Sequence, residues 1–256
     1  MTTGLAAAAW PTLPDRPLVL VPVGSTEQHG PHLPLHTDTV IAIAVAERVA
    51  HRFRARAAEP EVLVAPAIAY GASGEHQDFP GTVSVGTPVL TATLVELVRS
   101  LSHWAAGVVL VNGHGGNVPA LRAAVSQVRS EGHHASWVPC GPAAGDAHAG
   151  HVETSVMLHL AQREVAMDRA TVGNTRPLGQ LMPDLVRHGV RALSPTGVLG
   201  DPRGATAEAG ASILGAMVDD VYRCVGHGVA DAAGRLVQPD AEVPVGLVAG
   251  GQSAAG

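Results

Sequence analysis

Lysine is absent from this 256-residue chain, whose 16 basic residues are all Arg. Those Arg residues are scattered, and the net charge is −6. No basic stripe exists to meet a phosphate backbone, so nucleic acid is not an expected partner. Aromatics are nearly as scarce, with three Trp, two Tyr and two Phe, and the core must be built mainly from Ala, Val and Leu. The two cysteines, Cys140 and Cys224, lie far apart, which excludes a disulfide framework and suggests small buried hydrophobes in a reducing compartment. No apolar run approaches the ~20 residues needed to span a bilayer. Met1-Thr2-Thr3-Gly4 lacks the positive start and apolar stretch of a secretion signal. A soluble, cytoplasmic protein without a membrane partner is expected.

What is abundant is histidine at particular places. Residues 27–38, Glu-Gln-His-Gly-Pro-His-Leu-Pro-Leu-His-Thr-Asp, hold one Glu, three His and one Asp directly after an apolar run at 18–23. Two prolines and a glycine exclude a helix there, so the cluster rides on a stiff loop. Imidazoles and carboxylates at this density suit zinc, iron(II) or manganese.

Apolar runs elsewhere alternate in character. Residues 17–23, 62–68, 107–111 and 135–139 read as strands; 39–57, 89–104, 117–131, a stretch opening at 153–160 and 207–226 read as helices. Strands alternating with helices predict an α/β fold: a mostly parallel sheet between helix layers, with its site at the carboxyl ends of the strands. One domain over residues 1–237 and a poorly ordered tail over 238–256, rich in Pro, Ala and Gly, are expected.

Three further polar segments follow predicted strands. They are Gly71-Ala72-Ser73-Gly74-Glu75-His76, Asn112-Gly113-His114-Gly115-Gly116-Asn117 and Asp146-Ala147-His148-Ala149-Gly150-His151-Val152-Glu153. Topology alone carries all of them to one side of the sheet. Glu27 and His29, two apart, face one way on extended backbone and reach one ion or two adjacent ones. Asp38, just before the helix predicted from 39, can place one oxygen on each of two ions. His114 between glycines can approach closely, and Glu153 at a helix start gains from the dipole. Five ligands with Asp38 shared would serve two divalent ions and activate a hydroxide toward an amide bond. His148, five residues before Glu153, is the candidate catalytic proton carrier. His32, His36 and His151 are supporting or substrate-contacting candidates, and Glu75 and His76 are pocket-wall, subunit-contact or loop-packing candidates.

These motifs, in this order from about residue 17 to 226, resemble the creatininase (creatinine amidohydrolase) family. The resemblance implies a three-layer α/β/α sandwich, assembly into hexamers or larger homo-oligomers, and a two-metal centre. By position it makes Glu27, Asp38 and His114 ligands of one ion, His29, Asp38 and Glu153 ligands of the other, and His148 the catalytic histidine. One departure stands out: creatininase carries Tyr and Glu where this chain has Gly115 and Gly116. That removes one supporting ligand and a wall suited to creatinine's ring. Residues 65–76, 148–160 and 197–202 look like the mycofactocin branch of the family, which cuts a modified precursor peptide near its C-terminus to free a Val–Tyr-derived unit. Alternatives are an amidohydrolase for a small cyclic amide or formamide, with Arg203 the one hint of a phosphate site, and a scaffold without turnover.

Overall fold

The computed structural model describes residues 4–56, 61–141 and 145–238. Four parallel strands, β1 (Leu18–Val23), β2 (Val62–Val64), β3 (Gly107–Asn112) and β4 (Ala135–Pro139), form one sheet in the order β2-β1-β3-β4. Alternate residues of β1, β3 and β4 feed two separate cores. Val19, Val21, Val23, Val108 and Leu110 pack with α2 (Gly86–Leu101) and α3 (Val118–Ser130). Leu20, Val109, Val111 and Val138 pack with α1 (Thr37–Arg54), α4 (His151–Ala161) and α6 (Ala207–His227). Both sheet faces are therefore covered, which is why β1 and β3 read as unbroken apolar runs rather than alternating ones. The fold is the expected α/β/α sandwich.

Several boundaries differ from the sequence reading for local reasons. α1 begins at Thr37, so Asp38 lies inside its first turn rather than ahead of it. β2 ends at Val64, and beyond it Pro66 can donate nothing to the ladder, although Ala65 and Ile68 still bond back to Leu20 and Pro22. α2 begins at Gly86, with Pro88 tolerated in the first turn. α6 is capped at both ends: Thr206 Oγ1 accepts the Ala209 N–H at 3.1 Å, and Gly228 closes it at φ 70°.

A sixth helix, α5 (Leu178–Leu193), was not anticipated. Leu181 and Leu185 are buried at helical spacing, but Pro183 sits inside and Gly189, at φ 71° and ψ 178°, bends the chain. With Val190 and Leu199, these leucines form a third, small core, and α5 packs on the 3-10 turn Gly74–His76. The expected tail beyond Gln238 lies outside the described residues.

β1 is the first strand and has neighbours on both sides, so chain direction across the sheet reverses between β1 and β3. Crevices at such a switch point, beyond the carboxyl ends of the strands, are where open parallel sheets place ligands.

Candidate metal centre

The loop after β1 enters this crevice and folds back on itself, the Glu27 N–H bonding to the Leu35 carbonyl at 2.9 Å. Its Glu27 and His29 side chains are fully buried. His29 donates from Nδ1 to the Glu27 carbonyl at 3.1 Å, which leaves Nε2 facing Asp38 Oδ1 at 3.1 Å and Glu153 Oε2 at 3.9 Å. Asp38, at the start of α1, also accepts the Ser25 hydroxyl at 2.6 Å through Oδ2. His114 comes off the end of β3 and spans two carboxylates, with Nδ1 3.3 Å from Asp38 Oδ2 and Nε2 3.2 Å from Glu27 Oε2. Asp38 thus stands between the two imidazoles, one oxygen toward each.

The fourth strand-end loop delivers His148 and Glu153. Ala149 is a non-glycine residue at φ 51°, a conformation that costs about 1 kcal/mol. That turn aims the Ala149 N–H at Glu153 Oε2, 2.6 Å away, and orients the neighbouring His148. Asp146 secures the start of α4 by accepting the N–H groups of His151 and of Val152, the latter at 3.1 Å.

Hydrogen bonds settle the tautomers. Gln28 Oε1 accepts the Gly30 N–H at 2.8 Å, so its amide donates to His76 Nδ1 at 2.8 Å and to the Gly197 carbonyl at 3.2 Å. The His76 proton is then on Nε2, 3.3 Å from Glu27 Oε1. His148 donates from Nε2 to the Gln28 carbonyl at 2.8 Å. Its Nδ1 lone pair therefore faces inward, 3.9 Å from Glu27 Oε1 and 4.0 Å from Glu153 Oε2.

Electrostatics follow from this packing. Burial pushes the Glu27 carboxyl up, but the positive His114 overrides it and holds the group at about 2. Asp38 is likewise held well below the carboxylate range, with His29 and His114 outweighing its burial. Burial disfavours a charged His29, yet Asp38 beside it raises the imidazole to about 10, and His114 is raised by Glu27 and Asp38 in the same way. Burial raises Glu153 to about 7. Burial, then the charges of His29 and His76, drive His148 well below its usual value, so it stays neutral.

These residues fit a divalent cation. Both Glu27 oxygens are fully buried without a hydrogen-bond partner, a costly state that a bound cation relieves. Among the described residues, three groups bring ligand atoms within 4.8 Å of one another: Glu27–His29–Asp38, His29–His148–Glu153 and Glu27–His76–His148. His148 thus sits at ligand distance, a position its spacing from Glu153 did not reveal.

Of the other candidates, His32 is buried behind the centre, with Nε2 2.9 Å from Thr154 Oγ1. Glu75 and His76 line the cleft. The structure does not bring His36 in: it is half exposed and pairs with Glu164 at 3.0 Å. His151 lies at the start of α4, facing the Pro202–Gly204 turn. Gln28 and Asp146 were not singled out from the sequence. Strand alternation sends Gln28 away from Glu27, but this loop is not a strand. Asp146 acts five residues ahead of its helix, outside any capping pattern.

A family model described as creatinine amidohydrolase matches residues 6–225. The chain belongs to the creatininase family. It is 58% identical over 203 residues to the mycofactocin precursor peptide peptidase of Mycolicibacterium smegmatis, covering 79% of this chain and 82% of that protein. The mycofactocin precursor peptide peptidase of Mycobacterium tuberculosis is 54% identical over 236 residues, covering 91% and 94%. A creatininase point variant of Zn–Zn type superposes with a TM-score of 0.68 at 27% identity, covering 87% of this chain and 96% of that one.

Beyond the Asn112-Gly113-His114 segment the cleft wall is open. A Cβ on Gly115 would meet nothing within 4 Å. The cleft running from the centre past Gly115 has a volume of about 1210 Å³, larger than the ~300–1,000 Å³ of small-molecule pockets. Arg203, the one hint of a phosphate site, is exposed and holds Asp201 through Nε at 3.0 Å and Nη2 at 2.9 Å.

Proposed function

We propose that this protein is a metal-dependent peptidase that hydrolyses the modified mycofactocin precursor peptide and releases its C-terminal Val–Tyr-derived unit. The observation carrying this reading is the 54–58% identity to mycofactocin precursor peptide peptidases across most of both chains. The open cleft at Gly115 and the self-paired Arg203 support an extended peptide over a flat ring or a phosphorylated formamide. Residues 1–237 act as one metallohydrolase domain, in a homo-oligomer of hexameric or larger size and in the cytoplasm.

Glu27, Asp38 and His114 would hold one divalent ion, and His29, Asp38 and Glu153 a second, zinc or iron(II) with manganese also accepted by the donor set. When bound, the ions supply Lewis acidity at the scissile carbonyl and acidify the attacking water. The chain's own residues do the rest. Neutral His148 takes a proton at Nδ1 and returns it to the departing nitrogen, while its Nε2–H stays on the Gln28 carbonyl. Gln28 donates to His76 Nδ1 and so turns the imidazole to face Glu27 Oε1 with its Nε2–H, 3.3 Å away. Burial of Glu27, His76 and His148 strengthens each of these contacts.

The test is cleavage of synthetic modified precursor peptide by purified, metal-loaded protein, followed by mass spectrometry. Release of the two-residue unit is expected. Folded, metal-loaded protein that leaves the peptide intact while opening a cyclic amide or a formamide would overturn the reading.

A further inference from the structure

The cleft wall beside His114 is built from an unexpected place. Gly116 has no side chain, and a Cβ there would collide with His114 Nε2 and the Ala72 carbonyl. The third atom in that space is Glu75 Oε1, 2.5 Å from the Cβ position. So the volume next to Nε2 that a side chain at 116 would take is entered by a carboxylate from a different loop. Glu75 Oε1 lies 3.4 Å from His114 Nε2, the same nitrogen that faces Glu27 Oε2 at 3.2 Å. Glu27 is the residue whose two buried oxygens find no hydrogen-bond partner.

The turn that carries Glu75 is held in place. It follows β2 as the 3-10 segment Gly74–His76, with α5 packed on it. Gly189 comes so close there that a Cβ would stand 3.0 Å from the Glu75 carbonyl. Arg191, just past that bend, donates to the Asp78 carbonyl at 2.6 Å. A helix end and a side chain therefore fix the turn, while the Glu75 carboxylate, 31% exposed, points along the cleft toward His114.

We infer that Glu75 is a ligand of the cation on the His114 side of the centre, its carboxylate reaching from the β2 loop into the space that a side chain at 116 would take. This rests on the two-cation reading above and adds a sixth protein ligand to it. Because Glu75 also lines the cleft, that ion's environment is tied to the wall a substrate touches, and through Gly189 to α5.

Glu75→Gln tests this with little change of shape on a partly exposed turn, and Asp78→Asn, on the same cleft wall, controls for loss of a negative charge. Zinc content is measured after dialysis, and zinc affinity by competition with a chromophoric chelator, on full-length wild type and both variants. Thermal melting of the metal-free proteins checks folding. Wild type and Asp78→Asn are expected to keep two ions, and Glu75→Gln to keep one or to bind the second at least tenfold more weakly. The metal-free melting temperature should be unchanged, while the rise on adding zinc should be smaller in Glu75→Gln. In the cobalt(II) form, loss of the carboxylate should alter the visible spectrum. Equal stoichiometry, affinity and spectrum in wild type and Glu75→Gln would overturn the assignment. If wild type holds a single ion, the two-cation reading falls, and the Glu75 assignment then stands or falls on whether Glu75→Gln weakens that ion.

Discussion

His148 separates two kinds of site. It lies within ligand distance of Glu27 and Glu153, yet its tautomer and neutrality suit a proton carrier. Replacing it with Ala removes the inward Nδ1 lone pair and leaves the Gln28 carbonyl without its 2.8 Å donor. A positioned general acid–base contributes roughly 10²- to 10⁴-fold, or about 3–5 kcal/mol of barrier. The orphaned carbonyl in a buried position costs about 1–3 kcal/mol of stability. The expected result is therefore a kcat on the modified peptide lowered by about 10²–10⁴, a KM close to wild type, a lower melting temperature and a full complement of metal. Steady-state kinetics by chromatography of the released unit, together with elemental analysis of the same preparation, reads all of this at once. Metal lost together with activity would show that His148 is a ligand. A kcat within tenfold of wild type would remove it from the chemistry altogether.

Asp38→Ala removes the carboxylate that stands between His29 and His114. Metal content should fall to one ion or fewer, and an unchanged two-ion content would refute the shared-ligand arrangement. Gln28→Leu strips partners from the Gly30 N–H, the Gly197 carbonyl and His76 Nδ1 at once. A stability loss of about 2–4 kcal/mol and a reduced kcat with metal retained are expected, and a variant matching wild type in denaturant midpoint and rate would dismiss the hub. His32 gives a pH dependence whose sign is fixed: burial, then the charge of His29, lowers its pKa from 6.5 to about 4. Between those values the unfolded chain binds the extra proton, so this stability is present above pH 6.5 and is lost as pH falls toward 4. The loss is about 2 kcal/mol at pH 5 relative to pH 8, and on acidification the urea-unfolding free energy of metal-free wild type should fall by about that much more than that of metal-free His32→Gln. Parallel curves would mean that His32 titrates normally.

What was legible in the chain was what a short window encodes. Unbroken valine-rich runs mark strands buried on both faces, and polar clusters directly after such runs lie at strand ends, hence on one side of the sheet. That is enough to place Glu27, His29, Asp38, His114, His148 and Glu153 around one crevice without knowing any angle. α5 escaped because Pro183 and the bend at Gly189 interrupt a pattern that Leu181 and Leu185 otherwise keep.

The misplaced His36 and the contacts that the sequence did not show share a cause: each depends on segments far apart in sequence. His76 joins the centre only because Gln28, 48 residues earlier, donates to its Nδ1. His36, in the same loop as three site residues, is lost to the surface because Glu164 waits there. Glu75 reads from the sequence as pocket wall, subunit contact or loop packing, and it lines the cleft; the space it enters there is defined by a missing side chain, that of Gly116, 41 positions away in number and in contact in space. An absence in one loop and a carboxylate in another carry no common signal along the chain. Only the fold turns them into one feature, and so the missing side chain of Gly116 leaves the space in which a carboxylate from another loop meets His114.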